Sequence, residues 1–186
     1  MSPGDHSISE PSAWVRRWSH AVAPGATVLD VACGSGRHVR WFHARGCRVT
    51  GIDRDAAATD ALRAIAEIRV ADIENGPWPL PGVRFGAVVC TNYLWRPLLP
   101  TIVEAVGDDG ILIYETFAVG NETIGKPSNP AFLLRPGELL EASRPLRVVA
   151  YEDRFLDEPA RFVQRIVALR EGRSERPAAR RMLATG

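Results

Sequence analysis

The chain has 186 residues, of which 46% are hydrophobic and 24% charged, a size and balance that suit one domain with a self-sufficient core. A formal net charge of +1 leaves no strong field to attract nucleic acid or an anionic membrane, and of the 23 basic residues only Lys126 is a lysine. Cys33, Cys47 and Cys90 are odd in number and irregularly spaced, which argues against a disulfide framework and fits a reducing compartment. Together with His6, His20, His38 and His43 they offer no metal-ligand spacing, so no metal is expected. The N-terminus carries Pro3, Gly4, Asp5 and Glu10 and no apolar run of the signal-peptide kind. The longest apolar stretch, around Ala87 to Trp95, is broken by Thr91 and Asn92 and is too short to span a bilayer. A cytoplasmic protein without a membrane segment is expected.

Residues 1–10 are polar and turn-forming and are expected to be loose. Ser12 is placed to cap a helix running to about Val22, with Trp14, Val15 and Trp18 on one face and Pro24-Gly25 ending it. Thr27–Val31 reads as a buried strand, Ala32–Gly36 as a tight turn, and Arg37–Ala44 as a helix closed by Gly46. A second strand follows at Arg48–Ile52, then an alanine-rich helix at Ala56–Ile68 with Asp55 as its N-cap, and a short strand at Arg69–Ala71. The three prolines of Asn75–Gly82 forbid regular structure there. Phe85–Cys90 is a strand, Leu99–Val106 a helix and Gly110–Tyr114 another strand. Residues 118–137 form a Gly/Pro/Asn-rich insertion long enough to cover a site, and Gly137–Ala142 a short helix. Two strand-like runs, Leu146–Phe155 and Arg161–Leu169, close the domain at about residue 170, and a polar tail completes the chain.

Alternating strands and helices with hydrophobic strands predict an α/β fold, a parallel sheet covered on both faces. The last two runs break that rule. Their link, Asp157-Glu158-Pro159, is too short for a helical crossover and predicts an antiparallel hairpin.

The turn after the first strand brings Gly34 and Gly36 to where the backbone bends and approaches a ligand, with the helix N–H groups behind it. Asp53, at the end of the second strand with Arg54 beside it, is placed to accept the two hydroxyls of a ribose. A nicotinamide dinucleotide is disfavoured, because Val39 stands where the third glycine of its fingerprint belongs. Asp30, just before the turn, would repel a pyrophosphate but suits a ligand with an ammonium group. Asp72, ending the third strand, reads equally well as a turn residue or as a neighbour of adenine.

Val28–His38 (VLDVACGSGRH) resembles the first motif of the class I S-adenosylmethionine-dependent methyltransferases, Gly51–Asp55 (GIDRD) their second, and Val70–Leu80 (VADIENGPWPL) their adenine-contacting segment. Size and Tyr114–Phe117 (YETF) look closest to the small tellurite-resistance-type members. The resemblance spans roughly residues 25–170 by element order. It implies a Rossmann-like, doubly wound sheet of seven strands ending in an antiparallel hairpin. It further implies S-adenosyl-L-methionine as cofactor, Asp30 at its ammonium, Ala32, Gly34 and Gly36 along the methionine, Asp53 and Arg54 at the ribose, and Asp72 and Ile73 beside adenine. Cys90 and Asn92 would lie near the cofactor at the end of the fourth strand.

Gly120–Lys126 (GNETIGK) imitates a P-loop, but Pro127 replaces the Ser/Thr that would hold magnesium. Thr91-Asn92-Tyr93-Leu94 lacks the prolines of enzymes that methylate base amines, and no basic-aromatic stripe points to nucleic acid. The expected partner is therefore a small-molecule methyl acceptor beyond the ends of strands four and five, with Tyr93, Glu115 and Arg135 as candidate catalytic residues. The alternatives are a silent S-adenosylmethionine-binding or partner-activating protein and an RNA methyltransferase. Oligomeric state is not legible in the sequence.

Overall fold

A computed structural model describes residues 10–172. The expectations for residues 1–9 and 173–186 fall outside the described residues. The chain forms one seven-stranded sheet from β1 (Thr27–Val31), β2 (Arg48–Asp53), β3 (Glu67–Val70), β4 (Phe85–Thr91), β5 (Val106–Phe117), β6 (Arg147–Asp157) and β7 (Ala160–Leu169). The spatial order is β3-β2-β1-β4-β5-β7-β6, with β7 antiparallel to both β5 and β6 and the other pairings parallel. This is the doubly wound, Rossmann-like arrangement with the closing hairpin that the short Asp157–Ala160 connection requires. Strand order reverses between β1 and β4, which opens a crevice at their carboxyl ends.

The side-chain alternation of β-strands divides the core into two. On one face Val28, Val49, Val89 and Ile113 pack under α1 (Ala13–Trp18) and α2 (Arg37–Ala44). On the other, Leu29, Ile52, Val88, Cys90 and Tyr114 pack under α4 (Leu99–Glu104) and α5 (Glu138–Ala142). By the same alternation Asp30, Thr91 and Glu115 fall on the α1/α2 face, at or near the carboxyl ends of their strands. Ser12 caps α1 by accepting the Trp14 and Val15 N–H groups, and Asp55 caps α3 (Ala56–Thr59) through Ala58 N–H.

Three elements differ from the sequence reading. The alanine-rich helix stops at Thr59 and continues as a 3₁₀ turn over Asp60–Ala64, and Ile68 belongs to β3. Helix propensity loses here to tertiary packing, because Leu62 is fully buried against the glycine turn. The first helix ends at Trp18 and gives way to a 3₁₀ turn, Ser19–Ala21. Strand β5 is longer than Gly110–Tyr114, because pairing begins at Val106 and resumes at Ile111 after a shift in register.

Gly36 holds a left-handed φ of +81°, and a Cβ there would lie 2.4 Å from both terminal carbons of Leu62. Gly36→Ala is expected to lower the unfolding free energy by about 1–3 kcal/mol, read by urea denaturation. A midpoint equal to that of the parent would contradict this packing.

Candidate functional site

Two cavities open at the carboxyl ends of β1, β2 and β4 and meet at Ala32, which lines both. The smaller, of about 130 Å³, is bounded by Asp53, Arg54, Asp72, Ile73 and Tyr93. The larger, of about 790 Å³, has the glycine turn, Arg37 and His38 on one side. Arg161, Arg165 and the insertion residues Asn121 and Lys126 face them across it.

Asp53 is held by two backbone donors, Gly34 N–H to Oδ2 at 2.7 Å and Asp55 N–H to Oδ1 at 2.9 Å. Each oxygen keeps an acceptor lone pair, so the carboxylate is fixed in orientation and still able to receive a vicinal diol. Asp72 receives Glu74 N–H, Asn75 N–H and Asn75 Nδ2, at 2.9–3.2 Å. These bonds, the Asn75 side chain foremost, hold its carboxyl below the usual range. Its carboxylate is thus a turn cap, and it is the adjoining chain with apolar Ile73 that faces the small cavity.

Asp30 is 1% exposed, and its Oδ2 finds no hydrogen-bond partner among the described residues. Burial drives its pKa up to about 7; Arg37 pulls it down, Asp53 pushes it up, and the Val39 backbone hydrogen bond lowers it. Burial, reinforced by Arg37, drives His38 down to about 3. His38 Nε2 accepts the Ser12 N–H at 3.1 Å, and Nδ1 lies 3.9 Å from Asp30 Oδ1. Neutral His38 therefore makes a polar contact with Asp30 and no ion pair. A buried carboxyl with one vacant oxygen and a pKa near neutrality is suited to receive a cation from the cavity.

Glu115 is fully buried. It accepts Ser12 Oγ at 3.0 Å and binds Arg161 and Arg165 at 3.2 Å each, so the two guanidiniums lie between it and the cavity. Arg165 is spent on carboxylates, with Glu152 taking its other donors, and it lies 4.8 Å from the Trp14 ring centroid. Arg161 reaches Asn92 Oδ1 only at 3.4 Å, and its buried Nε has no partner among the described residues. Arg37 donates to Thr91 Oγ1 at 3.1 Å.

Of the expected cofactor residues, Ala32, Gly34, Asp53, Arg54, Asp72, Ile73 and Asn92 line one or both cavities, while Asp30 and Gly36 line neither: Asp30 is buried behind Arg37 and His38, and Gly36 packs on Leu62. Cys90 lies one residue before Thr91, on the α4/α5 face in the cluster that holds Ile73 and Tyr93; it is wholly buried and lines neither cavity. Tyr93 lines the smaller cavity instead of standing over the acceptor space, and burial raises its pKa beyond the ordinary tyrosine range. Arg135 lines neither cavity; it is mostly exposed and pairs with Glu138. Cys33 lines the large cavity, but burial and then Asp30 and Asp53 raise its thiol, which removes it as a nucleophile. Sequence reasoning missed Ser12, Arg37, His38, Arg161 and Arg165. The spacing of Arg161 and Arg165, four residues apart on a strand and so on one face, was a readable signal.

The insertion is tied to the rest of the domain by hydrogen bonds. Asn121 is buried, donates to Pro127 O and accepts Phe162 N–H, while Arg96 clamps Glu138 and the Ala131 and Leu133 carbonyls. Gly120–Lys126 contains a 3₁₀ turn and no strand–loop–helix phosphate cradle. Among the described residues no cluster of three or more His, Cys, Asp or Glu is placed to hold a metal. No helix among them is long and apolar enough to cross a membrane.

Residues 28–108 match the family described as Methyltransferase domain. A ribosomal protein L11 methyltransferase from Burkholderia mallei is 44% identical over 81 residues, covering 41% of this chain and 26% of that protein. A malonyl-[acyl-carrier protein] O-methyltransferase from Serratia marcescens is 29% identical over 107 residues, covering 53% of this chain and 41% of that protein. The chain thus spans about a quarter to two fifths of the length of these curated relatives. The crystal structure of TehB from Haemophilus influenzae superposes with a TM-score of 0.68 at 19% identity, covering 87% of this chain and 63% of that one.

Proposed function

We propose that this chain, whose residues 28–108 match a methyltransferase-domain family, is a class I S-adenosylmethionine-dependent methyltransferase that transfers the methyl group of S-adenosylmethionine to a small-molecule acceptor held in the larger cavity. The observation that carries the reading is the pair of cavities joined at Ala32, with a diol-ready carboxylate in one and a vacant buried carboxyl beside the other.

The residues fit the cofactor. Asp53 would receive the ribose hydroxyls, and Ile73 would give adenine an apolar wall beside Arg54 and the Asp72 turn. Asp30 Oδ2 would take the ammonium, and Arg37 is in place for the carboxylate of the same amino-acid end. Gly34, with nothing within 4 Å of where a Cβ would stand, leaves the backbone open to close approach, while Gly36 makes room for Leu62 behind the turn.

When bound, the cofactor supplies an activated methyl on a sulfonium, so the chain must position the partners and exclude water. Alignment of this kind is worth up to about 7–11 kcal/mol. Among the described residues, the floor of the acceptor cavity offers no free base. His38 is neutral with Nε2 engaged, Glu115 is shut beneath two arginines, and Tyr93 belongs to the other cavity. The acceptor is therefore expected to arrive with its nucleophilic lone pair already available, as a thiolate or other anion does.

The relatives' names include protein-linked acceptors, but a walled cavity of about 790 Å³ supports a small one. Labelled methyl transfer should be measured across thiols, carboxylic acids and oxyanions, with purified ribosomal protein L11 as a parallel arm. Transfer to a small molecule is expected. Labelling of the protein alone, or cofactor binding with no transfer in either arm, would overturn the reading.

A further inference from the structure

We infer that the acceptor is an organic carboxylate with an apolar body, docked by its carboxylate on Arg161. The inference rests on the cavity's assignment to a methyltransferase and deepens it. The charged lining of the larger cavity sets the requirement. The guanidiniums of Arg37, Arg161 and Arg165 line it, whereas Asp30 and Glu115 are buried behind that lining and Glu152 also pairs with Arg17 and Arg154. Three cations on one concave, partly desolvated surface favour an acceptor that carries a negative charge. The rim residues Glu10, Glu158 and Lys126 are solvent-exposed, where water and salt screen them.

The position of that charge is set by Arg161. Arg165 has both faces of its guanidinium spent on Glu115 and Glu152, whereas Arg161 gives Glu115 a single nitrogen, reaches Asn92 only at 3.4 Å and leaves Nε without a partner. A buried guanidinium N–H left unpaired is costly, and a carboxylate in the cavity relieves it. The rest of the molecule is read from the walls. Phe117, Ile124, Leu156, Pro159 and Ala160 line the same cavity, an apolar surface that a bare oxyanion leaves unused.

The test is calorimetry on the full chain saturated with S-adenosylhomocysteine, titrated with 3-phenylpropanoate, 3-phenylpropan-1-ol and sulfate. The carboxylate is expected to bind about tenfold or more tightly than either the alcohol or sulfate, the worth of one charge-assisted pair. Arg161→Gln should remove that preference while leaving S-adenosylhomocysteine affinity within about twofold. If Arg161→Gln unfolds, the double variant Glu115→Gln/Arg161→Gln removes both charges together and serves instead. Failure of S-adenosylhomocysteine itself to bind would sink the methyltransferase reading. Its normal binding with equal affinity for the three probes, or with sulfate preferred, or with a carboxylate preference that survives loss of Arg161, would sink this inference alone.

Discussion

Glu115→Ala is expected to cost about 3–5 kcal/mol of stability, because it leaves Arg161 with no carboxylate partner and Arg165 with Glu152 alone, around a vacated buried site. For a domain of this size that corresponds to a fall in Tm of roughly 10 °C or more, measured by calorimetry. The Ser12 hydroxyl loses its acceptor at the same time, so the entry of α1 loosens along with the cavity wall. A double-mutant cycle pairing Glu115→Gln with Arg161→Gln should be clearly sub-additive, since each change removes the reason for the other. Additive effects, or an alanine variant as stable as its parent, would show that the triad contributes nothing to the fold.

The second large effect concerns Asp30. Asp30→Asn should weaken S-adenosylhomocysteine binding about 100-fold, the scale expected when a buried charge pair is broken. The groups facing Asp30 are Arg37, His38 and Asp53, and His38 stays neutral throughout the neutral range. The carboxyl must ionise to hold an ammonium, so affinity of the parent should fall about tenfold per pH unit below about pH 7 and level off above it. Stability of the free protein moves the opposite way. A folded pKa raised from 3.8 to about 7 gives a contribution fully present below the unfolded value and lost as pH rises through the folded one. Relative to Asp30→Asn, the ligand-free parent should therefore weaken between about pH 4 and pH 7, at up to about 1.4 kcal/mol per unit. A pH-independent affinity, or an asparagine variant that binds normally, would contradict the assignment of the vacant oxygen.

The parallel sheet, the closing hairpin and the gathering of Ala32, Gly34, Asp53 and Ile73 at the cavities were legible in the sequence because they rest on local signals. Alternating hydrophobic segments, a glycine turn after a strand and acids at strand ends all lie within a few residues of one another. What was not legible depends on contacts between distant segments. Leu62 wedged against Gly36 cut short a helix that alanine content favoured. The face of β4 that Cys90 takes, opposite to that of Thr91 and in the cluster that holds Ile73 and Tyr93, shows only once the helices are packed on the sheet. Glu115 reads as a catalytic candidate from its position at a strand end, and only the antiparallel register of β7, which sets Arg165 opposite it, shows that it holds two arginines in place. Ser12, 103 residues from Glu115 and 26 from His38, carried no sign of its place in the site beyond its fitness as a helix cap.

The account stands most directly on a crystal structure of the complex with S-adenosylhomocysteine. It predicts adenine against Ile73, both ribose hydroxyls on Asp53, and the ammonium within hydrogen-bond distance of Asp30 Oδ2, with the sulfur aimed past Ala32 into the larger cavity. Density elsewhere on the protein, or a bound ligand whose ribose ignores Asp53 and whose ammonium faces solvent, would contradict it.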